Sequence, residues 1–431
     1  MKENALNYSD NENIKINFFD IIMCFSDAVD LINKKMSGHH IRVAYIAYRL
    51  GLQYKLSKKR IINLVIAACM HDIGALTIEE RDNIISPDYK SDEIHEKIGY
   101  SYLKSSKHFR NIALFVKHHH IAWNFGEGKY YNDKLLPIEC HILCLADRID
   151  AYIDKDTFIL LQTNNIISKV IQNSGKLFMP DVVATFIKIS NKEDFWLYTV
   201  SDSVHEIIGE LINSTNIQIN LDDFEKLTKW FSNIIDFRSR FTSVHSRGVS
   251  ASAEAIAIQM GLPDYEIKNV RIAGYIHDLG KLAVPNEILE KSGKLDLNEY
   301  AVIRSHTFHT YNILRRLKSI NNIVSYGSYH HEHLDGSGYP FHLKGNELSQ
   351  GARILAVADI LTAVTEDRPY RRGMDKDSVI DILNDMKNNK LIDSKIVNIT
   401  IKNFDEINKF RIKKQALAKK EYEKFWQQAS K

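Results

Sequence analysis

Two histidines 32 residues apart occur twice in this chain: His39 with His71, and His245 with His277, at an offset of 206 residues. Each second histidine is followed by an aspartate, Asp72 and Asp278. The surroundings repeat as well. His39 leads into Val43, Ala47 and Leu50, and His245 into Val249, Ala253 and Ile256, an i, i+4, i+7 series that lines one face of a helix. Past the His-Asp pair the offset grows to 211, because the second copy carries extra residues around Val284 to Asp296, and it then settles at 212. His95 answers His306, His119-His120 answer His330-His331, and Ala146-Asp147 answer Ala358-Asp359, before the correspondence fades near Trp196 and Phe404. A duplication on this scale ties the two halves to one fold, and each half, at about 200 residues, is long enough to bury its own core.

The fold class follows from what the halves contain and lack. Seven prolines in 431 residues, no low-complexity tract and long mixed apolar and polar runs favour helices. The expectation is an all-α protein of two tandem helical domains, residues 14–215 and 216–431, with the junction in the polar stretch 213–220 before a helix over Leu221–Phe237. Residues 61–70 read as a short buried helix, and 411–428 as a charged terminal helix packing through Leu417, Tyr422 and Phe425. A net charge of +3 is too small to argue for polymeric nucleic acid as a partner. The polar N-terminal stretch lacks the apolar segment of a signal peptide, and no apolar run approaches the ~18 residues of a membrane span. Four cysteines, Cys24, Cys69, Cys140 and Cys144, show no CxxC spacing and read as buried thiols of a cytoplasmic protein.

The second copy carries the chemistry. His245, His277, Asp278, His306, His330, His331 and Asp359 are candidate metal ligands, and five imidazoles with two carboxylates are more than one zinc needs. They suit two divalent cations, with Asp278 bridging both and His277 binding one. Nitrogen and oxygen ligation without thiolate points to iron or manganese before zinc. Such a pair would acidify a water and orient it for in-line attack on phosphorus. Lys281, at i+4 from His277, shares its helical face and reads as the stabiliser of the scissile phosphate and proton donor to the leaving oxygen. Lys281 and Asp278 are thus the expected catalytic residues.

Three strings, HDLGK from His277, HHEHLDGSGYP from His330 and RPYR from Arg368, resemble the signature of the HD-GYP phosphohydrolases over about Leu221 to Phe404. The resemblance implies an all-helical metal enzyme that opens a 3′–5′ phosphodiester of a cyclic dinucleotide to give a linear 5′-phosphorylated product. It implies that Gly338, Tyr339 and Pro340 shape a loop over the nucleotide and that Arg368 and Arg371 grip phosphate, for which a guanidinium fork is apt. A divergent unit followed by a complete one is similar to phosphodiesterases acting on 3′,3′-cGAMP, while other members prefer cyclic di-GMP. Nothing in the residues separates the two.

There are departures from the pattern. Phe241 stands where some members place a glutamate for a third metal, Thr362 stands where a second aspartate often follows Asp359, and Thr310 replaces a common glycine. These departures favour two cations. The first copy keeps His39, His71, Asp72, His95, His119, His120 and Asp147, yet has Ala75 in place of the lysine, no GYP loop and no RPYR-like turn. It is expected to be catalytically silent, with a structural or regulatory role; because His118 makes three histidines in a row, the register of its ligating pair is set by alignment alone. Intrachain pairing of the two units is expected, and homodimerisation is left open. The competing readings are a binding module that signals without turnover, a hydrolase of nucleoside phosphates, and a diiron oxygenase. Lys281 argues against the first and the GYP loop against the second.

Overall fold

A computed structural model describes residues 14–32, 37–75, 94–213, 216–237, 244–291, 293–367 and 372–429. Helices dominate, and the few strands form two short antiparallel pairs. The chain divides into two compact units, one running from Ile21 to Ile217 and the other from Gln218 to Gln427 together with residues 14–20. The N-terminal end groups with the second unit because Lys15–Asn17 pairs with Gln218–Asn220, Ile16 opposite Ile219, both buried. The first unit therefore starts a few residues later than residue 14. Among the described residues no helix is long and apolar enough to cross a membrane.

In the first unit, helix His39–Gln53 is the central element, packed against helices Lys58–Met70 and Ile138–Ala151. Val43, Ala44, Ile46, Ala47 and Leu50 on it are fully buried, as the repeated apolar spacing requires. The run 61–70 is buried within helix Lys58–Met70. A two-residue hairpin joins Tyr130–Tyr131 to Lys134–Leu135, with Asn132 and Asp133 both at positive φ, the conformation that matches strand twist in so tight a turn.

The second unit repeats this plan with helix His245–Gln259 at its centre, packed on Asp264–Ile276 and Gln350–Thr365. Serine, glycine and alanine fill much of the central helix, which lets its neighbours approach closely; Val249 and Ile256 supply the larger buried side chains, worth about 1.5–3 kcal/mol each. Helix Leu297–Leu314 starts at a reciprocal cap: the Asp296 carboxylate accepts from the backbone N–H of Asn298 and Glu299, and the Glu299 carboxylate accepts from that of Asp296. The terminal helix, Phe404–Ala429, departs from expectation. Leu417 is half exposed, while the buried face runs through Phe404, Ile407, Arg411, Gln415 and Ala418. Two polar side chains face inward because they have buried acceptors there, a signal that apolar periodicity does not carry.

Candidate functional site

Helix ends and the turns after them place the site residues of the second unit. His245 opens its helix, His277 caps the end of Asp264–Ile276, and Asp278 begins the turn that follows. His306 lies inside Leu297–Leu314, His330 and His331 follow helix Asn321–Ser328, and Asp359 lies inside Gln350–Thr365. The structure brings all seven together.

Asp278 stands between two sets of imidazoles. Its Oδ2 is 3.0 Å from His277 Nε2 and 3.7 Å from His245 Nε2, while Oδ1 is 3.4 Å from His306 Nε2 and 4.0 Å from His330 Nε2. Asp359 Oδ1 closes the first set, 3.2 Å from His245 Nε2 and 3.9 Å from His277 Nε2. His331 completes the second set, with one ligand atom from each of His306, His330 and His331 within 4.8 Å of the others.

Backbone carbonyls three residues upstream aim the rings. His277 Nδ1 donates to Gly274 O, His306 Nδ1 to Ile303 O and His330 Nδ1 to Gly327 O, which leaves each Nε2 lone pair facing inward. Asp278 Oδ1 is buried with no hydrogen-bond partner, a costly arrangement unless a cation answers it. Protonation states around the second set agree. Burial pushes His306 and His331 down to about 3 and about 4, so both imidazoles are neutral at neutral pH and free to act as ligands. Burial alone would raise Asp278 and Asp359, but His277 and Lys281 beside the former, and His245 beside the latter, hold both well below the usual carboxylate range. The donor set fits divalent cations.

Two features of the motif turn differ from a simple helical reading. Leu279–Ala283 is a 3-10 turn, so Lys281 reaches back three residues to Asp278, its Nζ 2.6 Å from Oδ2, and does not share a helix face with His277. Thr310 has a use as well. Its hydroxyl accepts from Gly280 N–H and donates to His277 O, pinning the turn to helix Leu297–Leu314. A Cβ on Gly280 would fall 1.9 Å from His306 O, so no other residue fits at that contact.

Downstream, Gly338 is enclosed by backbone: a Cβ there would lie 2.3 Å from His333 N and 2.5 Å from His331 O. Tyr339 N–H donates to His331 O, and the Tyr339 ring lies against that of His331, centroids 5.0 Å apart. Pro340 follows through a cis peptide bond. Glu332, unremarked in the sequence, is buried and accepts from the N–H groups of Phe341 and Leu343, tying the loop together. Arg368 and Arg371, expected to grip phosphate, lie outside the described residues, as does Phe241.

Sequence reasoning also missed Glu366. Its Oε2 is 2.9 Å from His245 Nδ1. Burial works against charge on His245, yet Glu366 and Asp359 outweigh it and hold the ring's pKa up at about 10. The other Glu366 oxygen accepts from Gln415 Nε2, and Gln415 Oε1 accepts from Arg411, so the terminal helix braces this imidazole. In the first unit Asp150, three residues after Asp147, takes the same role toward His39 Nδ1 at 2.7 Å. At the matching position in the second unit Thr362 instead pairs with Ser252. The signal was present in sequence only as an acidic residue seven places beyond Asp359.

The first unit assembles the same constellation. Asp72 Oδ2 is 3.4 Å from His71 Nε2 and 3.7 Å from His39 Nε2, while Oδ1 is 3.6 Å from His119 Nε2 and 3.8 Å from His95 Nε2. His71 and His119 are aimed by Ala68 O and Val116 O, and this repeat of the i−3 pattern gives the register: His118 packs on Tyr131, outside the cluster of Asp72, His95, His119 and His120. The difference lies around the ligands. Buried Arg148 holds Asp147 Oδ2 at 2.9 Å, and buried Ala75 puts no cation beside Asp72 from the lysine position.

HD-domain family models match residues 36–152 and 229–396. The chain is 27% identical over 413 residues to the 3′3′-cGAMP-specific phosphodiesterase 1 of Vibrio cholerae, covering 93% of this chain and 94% of that protein. A cyclic di-GMP phosphodiesterase of Pseudomonas aeruginosa is 35% identical over 174 residues, 40% of this chain and 39% of that one. In structure the chain is similar to a cyclic GMP-AMP specific phosphodiesterase of V. cholerae, with a TM-score of 0.66 at 20% identity, covering 90% of this chain and 98% of that one.

Proposed function

This chain belongs to the HD-GYP type of HD-domain proteins, and from that premise we propose that its second unit is a metal-dependent phosphodiesterase opening a 3′–5′ linkage of a cyclic dinucleotide to a linear 5′-phosphorylated product. The observation that carries the reading is Asp278, whose two oxygens face two separate sets of imidazoles, with the Lys281 ammonium against one of them.

His245, His277 and Asp359 would hold one divalent cation, and His306, His330 and His331 a second, with Asp278 between them. Iron or manganese suits this thiolate-free set better than zinc. When bound, the cations supply an acidified water and neutralise charge on the phosphoryl oxygens. Lys281 then places a positive charge at the same edge, where it stabilises the departing oxygen and can give it a proton. Gly338 allows the loop to pack tightly behind Tyr339, which forms a wall beside His331. Arg368 and Arg371 hold phosphate. The first unit, lacking the ammonium and the loop, binds cations without turning substrate over.

Of the two substrates, 3′,3′-cGAMP is favoured over cyclic di-GMP. Similarity to the cGAMP-specific enzyme runs through both units, whereas that to the P. aeruginosa cyclic di-GMP enzyme covers less than half of either chain. Incubating metal-loaded protein with each cyclic dinucleotide and resolving the linear products tests the reading. His277→Ala with Asp278→Ala is expected to abolish turnover and to lower bound metal; Lys281→Ala is expected to keep the metal and lose about 10²–10³ in kcat. Full activity in either variant refutes the assignment.

A further inference from the structure

Helix Leu297–Leu314 carries more than His306. Two residues earlier, the guanidinium carbon of Arg304 lies 5.0 Å from the ring centroid of Tyr339 and 5.9 Å from that of Tyr300. Tyr339 in turn packs on His331, so the order outward from the ligand cluster is His331, Tyr339, Arg304, Tyr300. Tyr300 is 47% exposed, which leaves the end of the row open to solvent.

Three other arginines of this unit spend their charge on carboxylates: Arg247 on Glu421, Arg271 on Glu225 and Glu254, Arg353 on Asp393. Arg304 makes no ion pair among the described residues. Cation–π contact uses the faces of a guanidinium and leaves its edge N–H groups to donate. Held by its neighbours, a planar fork loses little freedom on binding an anion. The ligand that suits it is a phosphodiester. A cyclic dinucleotide carries two, and the cations and Lys281 are gathered at the one that is cut.

We propose that Arg304, flanked by Tyr300 and Tyr339, is the subsite for the second, uncut phosphodiester of the ring. This rests on the cyclic-dinucleotide reading above. The subsite anchors the ring while the other linkage is opened, and it contributes to substrate binding rather than to bond cleavage.

The test compares 3′,3′-cGAMP with bis(p-nitrophenyl) phosphate, which has one phosphodiester and no second anion. Arg304→Ala should raise KM for 3′,3′-cGAMP by about tenfold or more while leaving kcat, bound metal and turnover of bis(p-nitrophenyl) phosphate unchanged. The rise of KM with ionic strength should become shallower, since one screened contact is gone. Arg304→Lys should recover part of the affinity, the charge being kept and the fork lost. An unchanged KM for 3′,3′-cGAMP, or an equal loss on the small phosphodiester, overturns the subsite. Wild-type protein that cleaves bis(p-nitrophenyl) phosphate but no cyclic dinucleotide removes the substrate reading, and the subsite with it.

Discussion

Asp236 shows how a single buried carboxyl ties stability to pH. It lies in helix Leu221–Phe237 and accepts hydrogen bonds from the Ser246 hydroxyl and N–H, next to His245. Burial pushes its pKa up to about 7 despite those bonds. The fold therefore favours the protonated acid. An unfolded chain ionises this group in the ordinary carboxylate range, so its contribution is intact at low pH and is lost progressively as pH rises through about 7. Asp236→Asn keeps the acceptor and removes the charge. The gain in Tm over wild type is expected to be larger at about pH 8 than at about pH 5, read by thermal melts of metal-free protein. A gain independent of pH would refute it. At this scale the candidate ligands were legible from residue type and spacing, whereas Asp236, Glu332 and Glu366 were not, because an acidic residue in a sequence carries no mark of what it will be buried against.

The terminal helix is the element whose role changed most between sequence and structure. Apolar spacing pointed to Leu417, Tyr422 and Phe425 as its packing stripe, yet Leu417 is half exposed, and Arg411 and Gln415 face inward to hold Glu366 against His245. The first unit braces His39 within its own ligand helices, through Asp150 and Arg42. With Thr362 at the Asp150 position, the second unit draws that support from a helix far along the chain. Gln415→Ala and Glu366→Gln should each weaken metal binding by about 10–100-fold, because outer partners fix ring orientation and basicity. Chelator competition measures this. Unaltered affinity in both variants would mean that the network only packs.

For the molecule as a whole, the informative fact is that two constellations of the same candidate ligands sit in two units with different surroundings. His71→Ala with Asp72→Ala is expected to lower total bound metal while leaving most turnover, as measured by elemental analysis beside product formation. Loss of turnover equal to that of the matching pair in the second unit would show that both centres work on substrate.

Much of this was written in the chain itself. The duplication, the helical class and all seven candidate ligands of each unit follow from spacing and residue type, because clustered imidazole and carboxylate spacing and helix periodicity are both properties of short segments. The tertiary structure alone decided which oxygen of Asp278 faces which imidazoles, that a 3-10 turn carries Lys281 back to Asp278, and that Glu366, Gln415 and Arg304 stand around the site. Those contacts join segments distant in sequence, and their energies depend on burial and direction, quantities that exist only once the helices have packed.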